Sequence, residues 1–120
     1  MILFRFFLEL RLMIDSHCHL NFENLINDFS NIINRARKNG ITAILSINTK
    51  LDEFDSHYQL IKKYQSLFIS YGLHPGNVNS NNIPTVGNLK SYCEYEKVIA
   101  IGETGLDFYH STEFKLEQYQ

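Results

Sequence analysis

The run ITAILSI at residues 41–47 is the stretch on which the fold turns. It is nearly continuous in apolar character, rich in β-branched residues, and preceded by Gly40. A strand with one solvated face alternates apolar and polar residues. A strand covered on both faces does not, and such strands are typical of parallel sheets. Three more segments read as strands: MIDSH at 13–17, LFISYGL at 67–73 and KVIAIG at 97–102. The first is apolar up to Asp15 and then turns polar, as a strand that ends in a site does.

Helical periods fill the gaps. Residues 23–39 place Leu25, Ile26, Phe29, Ile32, Ile33 and Ala36 at helical spacing. Gly40, after Lys38 and Asn39, is a stop signal. The spacing predicts a second helix over 52–65, with Phe54, Tyr58, Leu60, Ile61 and Tyr64 inward. A third is expected from Pro84 to about Tyr95, with Pro84 in its first turn. A fourth is expected over 112–120, with Thr112 as its cap. Pro75 to Asn82 reads as a long polar loop.

The order β-α-β-α-β-α-β-α implies right-handed crossovers and an α/β fold with a parallel sheet and helices outside it. An open doubly wound sheet and a (β/α)8 barrel both satisfy that order. A complete barrel takes about 250 residues. Four strand–helix units in 120 residues amount to half of one, and Gln120 falls inside the last expected helix.

The composition, 44% hydrophobic, 20% charged and 13% aromatic, is that of one ordinary globular domain and excludes disordered, collagen-like and coiled-coil chains. A net charge of −2 offers no global basic excess to announce a nucleic-acid binder, though it leaves a local patch open. Cys18 and Cys93 match neither a zinc ribbon nor a CxxC pair, so reduced thiols in a cytoplasmic protein are expected. Residues 1–12, MILFRFFLELRL, are apolar, but Glu9 and Arg11 interrupt the run and no small-residue cleavage site follows. The run is also shorter than the roughly 20 residues a membrane span needs. It reads as an extension upstream of a domain over 13–120, with Met13 as the functional start, and no membrane partner is expected.

Every polar cluster of interest lies at the C-terminal end of an expected strand, where parallel α/β sheets and barrels bind ligands. In DSHCH (15–19), His17 and His19 are two residues apart and point to the same side, leaving Cys18 on the other as a small packed residue. Two neutral imidazoles facing one point suit a divalent cation; two unrelated histidines beside a surface loop are the plainer alternative. In GETGLD (102–107), Glu103 is placed to bind metal or to act as a catalytic base, while Asp107 is equally a helix cap. Gly102 and Gly105 permit unusual backbone angles. His74, in GLHPG (72–76), either contacts substrate or ties down its loop. His57, on a helix, and His110, in a loop, are expected to face solvent. His17, His19 and Glu103 are expected to converge. A mixed nitrogen and oxygen set of this kind accepts zinc, manganese or another divalent ion without choosing among them.

Taken together, these segments resemble the TatD family of metal-dependent hydrolases and deoxyribonucleases from about Met13 to the C-terminus. MIDSHCHLNF is similar to the family's opening strand and HxH motif, YGLHPGN to its third-strand motif, and AIGETGLDFY to its fourth-strand motif. The resemblance implies an amidohydrolase-type (β/α)8 barrel with one or two divalent metal ions that hydrolyses phosphodiesters, usually in DNA. It implies that His17 and His19 bind one metal, that Glu103 binds or bridges the metals, and that His74 lies beside the site. Residues 1–12 have no counterpart in the family pattern. That pattern also draws two more histidines and an aspartate from later strands, the aspartate helping to activate water. The chain is therefore expected to be the N-terminal half of such a hydrolase, inactive or weak alone. The alternatives are one half of an enzyme assembled with a separate C-terminal-half chain, and a non-catalytic metal-binding or interaction module using the open edge of the half-barrel.

Overall fold

Ile41–Ser46 does form a strand, with Ile44 and Ser46 buried in the middle of a four-stranded sheet. The computed structural model describes residues 12–110 and 113–120. In chain order its elements are β1 (Met13–Cys18), α1 (Glu23–Ile26), α2 (Phe29–Lys38), β2 (Ile41–Ser46), α3 (Phe54–Ile61), β3 (Leu67–Tyr71), α4 (Val86–Cys93) and β4 (Val98–Ile101). Short 3-10 turns occupy Pro75–Asn77 and Glu117–Tyr119.

The sheet runs β1-β2-β3-β4, and each adjacent pair is parallel. Neighbours in sequence are neighbours in space throughout, with no reversal of strand order. An open doubly wound sheet reverses its order at a switch point, and a barrel does not. The chain therefore forms consecutive units of a (β/α)8 barrel. Helices α2, α3 and α4 pack on β2, β3 and β4 respectively.

The core lies between sheet and helices. Phe29 and Ile33 from α2, Phe54 and Ile61 from α3, and Ile44, Leu67, Ile69 and Tyr71 from the strands are all buried there. Tyr71 stacks on Tyr92, with ring centres 4.1 Å apart, and Phe54 meets both rings edge-on. Burying one such side chain is worth roughly 1.5–3 kcal/mol, so this aromatic group fixes α3 and α4 on the sheet. The edge strands are left bare: Ile14 on β1 and Ile99 and Ile101 on β4 are 69%, 57% and 58% exposed.

Three helices differ from the sequence expectation. The 23–39 helix is two, broken at Asn27–Asp28. Asp28 leaves the helical region (φ −112°, ψ 13°) and spends its carboxylate on Asn31 Nδ2 at 2.6 Å and Arg35 Nη2 at 2.8 Å. Asn and Asp compete with the helical backbone in this way. The third helix starts after Pro84, not at it. Thr85 Oγ1 accepts the Asn88 N–H and Asn88 Oδ1 accepts the Thr85 N–H, a reciprocal cap that sets the first turn at Val86. The helix expected over 112–120 is a 3-10 turn at Glu117–Tyr119 preceded by turns. There Gln118 is held sideways: its Oε1 accepts the Asp107 N–H at 2.8 Å and its Nε2 donates to Pro75 O at 3.3 Å. The expected cap, Thr112, and residues 1–11 of the N-terminal extension lie outside the described residues.

Candidate metal centre

β1 delivers His17 from its last turn of pleat and His19 just beyond its end. The two rings meet edge to face at 5.3 Å. Cys18 points the other way and packs against the core, its Sγ 3.8 Å from Leu45 O. β4 delivers Glu103 through the cis Gly102–Glu103 peptide bond. β3 and β4 touch closely at their ends. A Cβ on Gly72 would overlap the carbonyl of Gly102, so only glycine fits there.

The three residues come together. His17 Nε2 and His19 Nε2 each lie 4.0 Å from Glu103 Oε2. One potential ligand atom from each of the three falls within 4.8 Å of the other two. His74 Nε2 lies 3.9 Å from the other carboxylate oxygen, Oε1. Glu103 thus turns one oxygen to the HxH pair and the other to His74.

Hydrogen-bond partners assign the ring protons. His19 Nδ1 lies 3.1 Å from Ile47 O, which only accepts. Nδ1 therefore carries the proton, and in the neutral ring Nε2 offers a bare lone pair to Glu103. His74 is the reverse. Its Nδ1 accepts the Gly76 N–H at 3.0 Å, which puts the neutral ring's proton on Nε2. The His19 lone pair and the Glu103 carboxylate are both acceptors, 4.0 Å apart, too long for a hydrogen bond. A divalent cation held between these donors would relieve that opposition, so the chemistry of the donor set fits one. Ile47 O behind His19 is the usual support for a metal-binding imidazole.

A family model described as TatD related DNase matches residues 14–120. The chain belongs to that family. It is 35% identical over 106 residues to an uncharacterized metal-dependent hydrolase of Buchnera aphidicola, covering 86% of this chain and 40% of that one. It is 32% identical over 111 residues to the uncharacterized metal-dependent hydrolase YcfH of Escherichia coli, covering 90% and 41%. The crystal structure of YjjV, a TatD homologue from Escherichia coli, superposes with a TM-score of 0.72 at 28% identity, covering 92% of this chain and 42% of that one. The chain thus spans about two-fifths of the length of these TatD relatives. Among the described residues no helix is long and apolar enough to cross a membrane.

One histidine of this TatD chain is not where the sequence reading put it. His57 does not face solvent: it is 1% exposed, on the inner side of α3 between Phe54 and Ile61. Burial pushes its imidazole down to about 4 from the usual 6.5, with His19 adding to the effect. The helical period carried the signal, since 54, 57 and 61 share one face. His110 is exposed as expected and pairs with Asp107 at 2.7 Å. Asp107 accepts the Tyr109 and His110 N–H groups, which makes it a turn-holding carboxylate.

Proposed function

We propose that this chain supplies the first strands and the first ligands of a divalent-metal-dependent phosphodiesterase of TatD deoxyribonuclease type, with DNA as substrate. The observation that carries the reading is the meeting of His17 Nε2 and His19 Nε2 at one oxygen of Glu103. His17, His19 and Glu103 would hold a divalent cation, with the second carboxylate oxygen of Glu103 turned to His74. When bound, the cation polarises a phosphoryl oxygen and acidifies water. His74, with its proton on Nε2, donates a hydrogen bond to a substrate oxygen on the Oε1 side. Glu103 orients both halves of the site because each of its oxygens serves one of them.

The 120-residue chain by itself hydrolyses DNA poorly. Among the described residues three ligands meet and no strand pairs with the outer side of β4, so the centre is loosely held, and a misplacement of about 1 Å can cost roughly a hundredfold in rate. A second reading, in which strands of another chain complete the barrel, is favoured by the exposure of Ile99 and Ile101 on that edge. The test is a nuclease assay with magnesium, manganese or zinc, comparing the chain with His17→Ala and Glu103→Ala. Weak metal-dependent cleavage, lost in both variants, supports the reading. Cleavage indifferent to both variants contradicts it.

A further inference from the structure

Behind the centre, a buried chain of hydrogen bonds runs in one direction and passes through His57. Asn48 Nδ2 donates to Lys50 O at 2.7 Å and faces Gly72 O at 3.5 Å, which turns its Oδ1 toward His57. His57 Nδ1 lies 3.3 Å from that oxygen and therefore carries the ring proton. His57 Nε2, left with its lone pair, accepts from Ser46 Oγ at 2.7 Å. Ser46 Oγ, its proton committed, accepts the Leu20 N–H at 3.0 Å. Ser46, Asn48 and His57 are all buried, so each lost partner would leave an unsatisfied polar group.

The segment 46–48 reaches the ligands at three points. Ser46 holds the backbone at Leu20, one residue past His19. Ile47 O takes the Nδ1 proton of His19. Asn48 O accepts the Glu103 N–H at 3.1 Å. His57 grips the side chains at both ends of this segment while touching neither ligand through a hydrogen bond.

We propose that His57 is a positioning residue of the metal centre: by clamping Ser46 and Asn48 it fixes residues 46–48, which in turn aim His19 and Glu103 at each other. This rests on the metal reading of His17, His19 and Glu103. It assigns α3, an element outside the ligand set, a role in metal affinity. Outer partners of this kind typically change affinity by about 10–100-fold.

The test compares zinc affinity, by competition titration, in the full 120-residue chain and in His57→Leu, Ser46→Ala and Ile61→Val. Ile61 is buried on the same helix but outside the network, so its variant reports on general loosening of α3. Amide hydrogen exchange of the metal-free proteins is followed at Leu20 and Glu103. His57→Leu and Ser46→Ala are expected to weaken zinc binding about 10–100-fold and to speed exchange at those two amides. Ile61→Val is expected to do neither. Should His57→Leu fail to fold, Ser46→Ala carries the same test with a smaller loss of volume. Unchanged affinity in folded His57→Leu or Ser46→Ala overturns the proposal, as does an equal loss in Ile61→Val. If the parent chain binds no zinc, or His17→Ala binds as well as the parent, the metal reading itself has failed and this proposal falls with it.

Discussion

His19 and His74 turn the same ring atom, Nε2, toward Glu103, but with opposite protonation. Ile47 O takes the Nδ1 proton of His19 and frees its Nε2 lone pair, whereas the Gly76 N–H occupies Nδ1 of His74 and leaves its Nε2 as a donor. One histidine is thereby equipped to ligate a cation and the other to offer a proton to an anion.

Substitutions at the two kinds of histidine should separate. His17→Ala and His19→Ala are expected to weaken divalent-metal binding by more than about 100-fold, beyond the effect typical of outer partners. His74→Ala is expected to leave that binding within a few-fold of the parent while lowering DNA affinity or turnover. Calorimetric metal titration alongside a DNA-binding assay checks both. Loss of metal on His74→Ala would contradict the proton assignment.

Acid should destabilise the fold through His57. Its folded value near 4 lies below the ordinary 6.5, so the unfolded chain binds the additional proton between those values. Stability therefore falls as pH drops from about 6.5 to 4 and levels below that, by on the order of 3 kcal/mol from this group. Denaturant unfolding at pH 7 and pH 4 is expected to show a larger acid loss in the parent than in His57→Gln. Equal losses would contradict the assignment.

Gly72→Ala should damage both fold and site, because the new methyl group collides with the Gly102 backbone that leads to Glu103. Overpacking of this kind costs about 1–3 kcal/mol. Thermal unfolding and metal titration of the same variant are expected to show a lowered midpoint and weaker binding together.

The two cysteines should differ sharply toward thiol reagents. Burial, with Asp15 adding to it, pushes the Cys18 thiol up to about 12 from 9.0, and Cys93 is exposed. Only the thiolate reacts, so half-buried Cys18 is expected to label far more slowly than exposed Cys93 at mildly alkaline pH. Mass spectrometry after brief alkylation reads this directly.

The strands are legible because three of them are short apolar runs and the first opens on Met13 and Ile14; ITAILSI is the clearest, although Thr42 within it is exposed. The HxH spacing and the position of Glu103 after VIAIG were legible for the same reason: strand ends deliver their residues to one mouth. The break at Asn27–Asp28 was not, since the apolar spacing runs on across it and only the partners of Asp28 reveal the stop. The 112–120 segment failed similarly, because Gln118 is committed to Asp107 and Pro75, which are remote in sequence. His57 was misplaced by residue type against period. Histidine favours the surface unless partnered, and its partners, Ser46 and Asn48, read in sequence as ordinary polar residues at the end of a strand. The protonation of His19 and His74 depends on a carbonyl and an amide that no motif records.

A crystal of the chain soaked in zinc shows whether His17, His19 and Glu103 share one cation. Anomalous scattering at the zinc edge is expected to give a peak about 2.0–2.2 Å from His17 Nε2, His19 Nε2 and a Glu103 oxygen. No peak there in a crystal that binds zinc elsewhere, or His17 and His19 turned away from Glu103, would contradict the account.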